Sequence, residues 1–215
     1  MSGRGKITRR RFLGLLGGAV GATALGCCGL TVLGTQHPKV ALEQSSCGDG
    51  ERMLVVYASK AGSTGEVAEA IGRALCAGGA AVDVKPIKEA VDPSGYAAAV
   101  VGSAIRMGRW LPEAIGFVET HQAALSQVPT AYFLCCGTLE EDTEENRGEA
   151  SSWLDPVREI VVPVSEGLFA GKIDYSKLSF LDRSVLQMLG TAEGDWRDWD
   201  AIRAWAGELR QAVDA

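Results

Sequence analysis

The sequence predicts an α/β domain, a doubly wound parallel sheet of five strands with helices on both faces. Three observations carry this. From Arg52 onward, short apolar runs alternate with amphipathic helical patterns, the order that gives parallel strands joined by right-handed crossovers. The first, third and fourth runs are continuously apolar, as strands covered on both faces must be. The second run alternates apolar and charged residues and ends at a proline, which fits the edge of a sheet. With 215 residues, 47% hydrophobic and 22% charged, the chain has material for one packed domain and an extension.

The elements follow in order. Residues 53–58 form the first run. The helix after it places Val67, Ile71, Ala74 and Leu75 on one face and stops at Gly78-Gly79. In residues 80–85, Val82 and Val84 alternate with Asp83 and Lys85 before Pro86. Residues 97–101 are the third strand, closed by Gly102, and a helical stretch runs over 112–125. Residues 131–136 are the fourth strand, with a helix over about 149–159. Residues 161–169, interrupted by Pro163, are the fifth, and two last helices are expected over 175–189 and 199–213. In such sheets ligands bind beyond the carboxyl ends of the strands, so the loops after the first, third and fourth strands are the candidate site.

The N-terminus reads as an address. Thr8-Arg9-Arg10-Arg11-Phe12-Leu13 opens an uncharged, Gly- and Ala-rich stretch over residues 12–34. A twin arginine followed by Phe-Leu and a mildly apolar run has the pattern of a bacterial Tat signal. A plain membrane helix is the alternative, and both keep the N-terminus inside and put the remainder outside. The 23-residue run is long enough to cross a hydrocarbon core of ~30 Å. Ala22-Thr23-Ala24 is a candidate cleavage triplet, and Ala24-Leu25-Gly26-Cys27 is a weak lipoprotein box. Membrane tethering, by an uncleaved anchor or a lipid on Cys27, is favoured over release. The organisation is thus residues 1–34 signal or anchor, 35–51 linker, and 52–215 domain.

Charge is unevenly placed. Residues 1–11 carry five basic groups and no acid, which leaves 16 basic against 27 acidic residues in the remainder. An acidic domain repels phosphate backbones, so no nucleic-acid partner is expected. Six cysteines in two adjacent pairs (Cys27-Cys28, Cys135-Cys136) and two singles (Cys47, Cys76) do not make a disulfide framework. With no C-x-x-C spacing and only His37 and His121, no metal site and no catalytic residue stand out. Adjacent cysteines at a strand end are ordinarily small buried residues. The acidic run over 140–145 is ordinarily a solvated loop, and otherwise a docking surface for a basic redox partner.

After the first strand comes Ser59-Lys60-Ala61-Gly62-Ser63-Thr64, followed by Gly65-Glu66-Val67. Ser63-Thr64-Gly65-Glu66 has the form of a capping box. Small and hydroxyl residues at a helix N-terminus let amides and hydroxyls surround a phosphate. The string is neither a P-loop nor a dinucleotide fingerprint. Its Ser-x-x-Gly-x-Thr spacing resembles the FMN-phosphate loop of flavodoxins, with Ala61 where many of them have a further threonine.

The resemblance extends along residues 52–215. Ser103-Ala104-Ile105-Arg106-Met107-Gly108 is similar to the flavodoxin-like, menaquinone-dependent protoporphyrinogen dehydrogenases. So are Phe117-Val118-Glu119, the string from Val128 to Phe133, and the string from Glu166 to Tyr175. The resemblance implies strand order 2-1-3-4-5 and FMN as cofactor. It implies contacts to FMN from Ser59, Lys60, Ala61, Gly62, Ser63 and Thr64, from Ala104, Ile105, Arg106 and Met107 along the isoalloxazine ring, and from Gly137 and Thr138 on its other side. Arg106, and Arg109 beside it, suit the neutralising of a reduced flavin or a substrate carboxylate. Trp110 either stacks on flavin or anchors the next helix. The implied activity is an FMN oxidoreductase passing electrons to a quinone, with a porphyrinogen as reductant. An exported electron carrier between protein partners is the alternative. The chain departs from that family in its export signal and in residues 172–189. There Lys172, Lys177 and Arg183 stand against Asp174 and Asp182, so the segment is only mildly basic.

Overall fold

The computed structural model describes residues 50–90, 92–178, 180–188 and 191–214. The signal or anchor and nearly all of the linker lie outside the described residues. Among the described residues, no helix is long and apolar enough to cross a membrane.

The strands are β1 (Arg52–Ala58), β2 (Ala81–Pro86), β3 (Ala98–Arg106), β4 (Arg109–Trp110), β5 (Thr130–Cys136), β6 (Ser165–Ala170), β7 (Lys172–Ile173) and β8 (Gly194–Asp195). The helices are α1 (Ser63–Ala77), α2 (Pro112–Thr120), α3 (Gln122–Leu125), α4 (Glu144–Ser152), α5 (Asp155–Arg158), α6 (Phe180–Met188) and α7 (Trp199–Asp214). The main sheet runs β2-β1-β3-β5-β6 with all four pairings parallel, the order expected from the sequence once the extra short strand β4 is counted. β4 pairs antiparallel with the end of β3, and β7 and β8 form a separate two-stranded ribbon.

Strand side chains alternate between two apolar layers, as a period of two requires. Leu54, Val56, Val101, Tyr132 and Leu134 join Phe117 and Val118 of α2, Ala150 of α4 and Val157 of α5 in one layer. Met53, Val55, Val100, Phe133 and Cys135 join Val67, Ile71 and Leu75 of α1 and Ile202 and Leu209 of α7 in the other. Both faces of β1, β3 and β5 are therefore dry, which is why their sequences carry no alternation. Gly102 permits this packing: a Cβ there would lie 2.0 Å from Phe133 Cζ. β2 is half-buried along its whole length and forms one edge.

Several boundaries differ from the expectation. The stretch over 112–125 is two helices broken at His121, whose ring leans on Phe117 at 4.6 Å. The expected helix over 149–159 begins earlier, at Glu144, because Thr143 Oγ1 accepts the Asn146 amide as an N-cap, and it breaks before Pro156. The fifth strand starts after Pro163 rather than around it, since a proline cannot donate to the ladder. The expected helix over 175–189 is a single 3-10 turn followed by α6.

Candidate flavin site

Register brings the three loops together. Ala58 at the end of β1 pairs with Ser103, and Ala104 pairs with Cys135 near the end of β5. Adjacent strands lie about 4.8 Å apart, so the segments 59–64, 104–109 and 137–139 leave the same rim side by side. The chain order reverses between the neighbouring strands β1 and β3, which is the switch point of the sheet.

The first loop is built for an anion. Gly62 adopts φ +90°, a left-handed conformation suited to glycine, and is the N-cap of α1. Its N–H donates to Ser59 Oγ at 2.9 Å, and its carbonyl accepts the amides of Gly65 and Glu66. The capping box expected from Ser63-Thr64-Gly65-Glu66 does not form. Ser63 is already the first helical residue, no side chain caps the helix, and Glu66 turns away to Arg197. The first-turn amides of Ser63 and Thr64 thus have no backbone acceptor among the described residues. Thr64 is fully buried, and its hydroxyl makes no hydrogen bond of ordinary geometry. It exerts only a secondary pull on the Cys135 thiol. Free amides, an orphan hydroxyl and the positive end of a 15-residue helix fit a phosphate monoester.

The second loop is a β-hairpin, which the sequence did not disclose. Ile105 pairs with Trp110 and Arg106 with Arg109. Met107 (φ 53°) and Gly108 (φ 71°) make the turn, two consecutive positive φ values as a type I′ hairpin demands. Met107 is 85% exposed at the tip. Arg106 and Arg109 are both exposed and directly opposite each other, so the hairpin holds two like charges at its end. Trp110 is not a stacking platform: it is buried, edge-on to Tyr132 at 5.5 Å, and anchors the hairpin. Ser103 Oγ fixes the return by accepting the Leu111 amide at 3.0 Å. Beside the hairpin lies a groove of about 630 Å³ lined by Arg109, Trp110, Pro112, Ile115, Glu119 and Trp153, among others.

The third loop turns over Thr138–Glu140, with Gly137 exposed and Thr138 half-buried. The thiols at its base are free and buried. Burial pushes Cys135 up to about 12, and it also raises Cys136 although the Thr138 and Leu139 amides pull the other way. Neither thiolate is populated near neutrality, so both cysteines behave as core residues. Cys76, at the far end of α1, is disulfide-bonded. The cysteine spacing gave no sign of this. The acids over 140–145 are solvent-exposed, with Asp142 bound to Arg147 through both carboxylate oxygens.

Sequence reasoning missed Arg197. Its side chain is 3% exposed and reaches the first turn of α1 from 131 positions along the chain. Nothing in the local pattern Asp195-Trp196-Arg197-Asp198-Trp199 separates it from a surface arginine.

Comparison with known proteins gives the fold a family. The family model described as "Flavodoxin domain" matches residues 54–200. This chain belongs to the flavodoxin-domain family. Two curated relatives are both named protoporphyrinogen IX dehydrogenase [quinone]. The protein from Leishmania major is 26% identical over 173 residues, 74% of each chain. The protein from Escherichia coli K12 is 22% identical over 177 residues, 76% of this chain and 97% of that one. Among solved structures, a short-chain flavodoxin associated with a bacterial microcompartment superposes with a TM-score of 0.52 at 13% identity, covering 77% of this chain and 97% of that one. It supports the fold alone. FMN is the cofactor of the flavodoxin domain, and the first loop has the free donors that its phosphate requires.

Proposed function

We propose that this chain is an FMN oxidoreductase that passes electrons to a quinone, held at the outer side of the cytoplasmic membrane by its N-terminal segment. The observation that carries the reading is the similarity, along nearly the whole Escherichia coli protein, to a dehydrogenase whose name specifies a quinone. FMN supplies two-electron and one-electron chemistry when bound, and a flavin needs no protein acid or base for it. The chain's own residues do the rest. The amides of Ser63 and Thr64 with the Thr64 hydroxyl would hold the phosphate. Residues of the β3–β4 hairpin would contact the ring. Arg106 and Arg109 would offset negative charge on a reduced flavin. Gly137 and Thr138 would contribute contacts from the third loop. The groove lined by Trp110, Ile115 and Trp153 offers apolar and aromatic contact to a flat acceptor approaching the hairpin.

An exported electron carrier is the second reading, favoured by the exposed acids over 140–145 beside the third loop, which suit a basic protein partner. The test is a visible spectrum of the purified protein, then turnover with protoporphyrinogen IX and a soluble menaquinone analogue. Flavin bands with quinone-dependent porphyrin formation support the dehydrogenase. Flavin bands without turnover favour the carrier. Absence of flavin after reconstitution with FMN removes both.

A further inference from the structure

We propose that Arg197 is the positioning residue of the phosphate loop and sets the preference of this site for FMN over unphosphorylated riboflavin. The inference rests on the FMN reading above and assigns a role to a residue outside the three loops.

The geometry is specific. Arg197 Nη1 donates to Glu66 Oε2 at 2.7 Å and to the Ser63 carbonyl at 3.4 Å. Its Nε and Nη2 donate to Asp195 Oδ1 and Oδ2 at 2.7 and 2.5 Å. The guanidinium also lies 4.4 Å from the centre of the Trp199 ring. One planar cation therefore ties the first turn of α1 to β8 and to the start of α7. It does so on the carbonyl and side-chain side of that turn, leaving the amides of Ser63 and Thr64 to a ligand. Arginine suits this task because its fork of donors is rigid and always charged.

Charge explains why the tie bears on phosphate. Glu66 sits in the first turn of α1, where a carboxylate favours the helix dipole but repels a bound dianion. Four charged groups form the cluster: Glu66 and Asp195 against Arg197 and Lys177, whose Nζ is 3.8 Å from Glu66 Oε1. The cluster is balanced as it stands. Lys60 is exposed in the loop nearby, and Lys172 acts on Asp195 from β7. The field of Arg197 also reaches the end of β5, where it draws down the Cys135 thiol against burial. Without Arg197 the cluster keeps two carboxylates against the single ammonium of Lys177, so the first turn of α1 carries excess negative charge that would repel a phosphate dianion, whereas riboflavin, which lacks that charge, is indifferent to it.

The experiment titrates flavin-free full-length protein with FMN and with riboflavin, following flavin fluorescence, and records the melting temperature of each variant. Arg197→Gln is expected to weaken FMN by roughly tenfold or more, the scale of one charge acting on a dianion near a protein surface, with riboflavin changed by less than about twofold on the same ground. Arg197→Lys regains part of the FMN affinity. Combining Arg197→Gln with Glu66→Gln regains most of it by removing the stranded carboxylate. Equal loss of FMN and riboflavin, or no loss of either, overturns the proposal and leaves Arg197 a structural tie. Should Arg197→Gln not fold, Glu66→Gln alone decides. It leaves the guanidinium in surplus and tightens FMN but not riboflavin, and no change in the ratio overturns the proposal. Wild-type protein that binds neither flavin defeats the FMN reading itself, an outcome distinct from an unchanged ratio.

Discussion

At the scale of single residues, Thr64 and Cys135 show how the site is prepared. Thr64 is fully buried, and its hydroxyl has no hydrogen bond of ordinary geometry, only a secondary pull on the Cys135 thiol. Replacing it with valine removes an unsatisfied group, so flavin-free Thr64→Val should be more stable by about 1 kcal/mol. The same variant should bind FMN about five- to tenfold more weakly, since a charge-assisted donor to phosphate is lost. Melting curves and FMN titrations on one preparation check both directions, and a variant weakened in stability and unchanged in FMN affinity would sink the assignment. Cys135 gives a pH prediction. Its folded value, about 12, lies above the ordinary thiol value of 9.0, so the folded state disfavours the thiolate. The stability it contributes is complete below pH 9 and is lost as pH rises toward the folded value. Urea midpoints should therefore fall from about pH 9 upward, and less steeply in Cys135→Ala. A thiol reagent at pH 8 should not label Cys135 until the protein unfolds. Of the residue-level site, the turn at Gly62 that opens α1 was legible because glycine and hydroxyl residues between a strand and a helix mark a helix N-terminus. Arg197 was not, because its partners are Ser63 and Glu66, more than 130 positions away in sequence.

At the scale of elements, the β3–β4 hairpin is the clearest addition to what the sequence showed. Its strand is two residues long, and its turn, Met107-Gly108, lacks the Asn-Gly or Asp-Gly signature that usually marks such a hairpin. Methionine pays a steric penalty at φ 53°, so Met107→Gly should stabilise the protein by about 1 kcal/mol, less the entropy that glycine adds to the unfolded chain. Gly108→Val, at φ 71°, should destabilise by about 1–2 kcal/mol. Thermal melts of the two variants should move in opposite directions, and a shared direction would mean the turn is not strained as described. The strands of the main sheet, by contrast, were legible as elements: β1, β2 and β5 lie within a residue of the expectation, while β3 runs on past the expected stop at Gly102 to Arg106 and β6 begins only at Ser165. Two-sided burial leaves no choice but unbroken apolar runs, and β1, β3 and β5 have them. Helix starts were less legible because local capping contacts decide them: Thr143 captures the Asn146 amide, and Gly62 displaces the expected cap at Ser63.

At the scale of the whole molecule, the redox state of Cys76 distinguishes an exported chain from one kept in a reducing compartment. Protein recovered from the outer face of the membrane, unfolded without reductant, should leave Cys76 unlabelled by a thiol reagent while Cys135 and Cys136 are labelled, as peptide mass spectrometry would show. Labelling of Cys76 in that material would count against export. The sheet itself has a further consequence at this scale. Its β2 edge bears Asp83, held by Arg52 and by the Tyr96 hydroxyl at 2.7 Å each, then Lys85, then Pro86. A bare margin of backbone donors and acceptors invites another chain to extend it by strand addition. Here a pinned carboxylate, an amine and a residue without an amide hydrogen occupy that margin in succession. Copies crowded together should therefore resist stacking into fibres, and substituting Lys85 and Pro86 with valine should make the domain polymerise edge to edge.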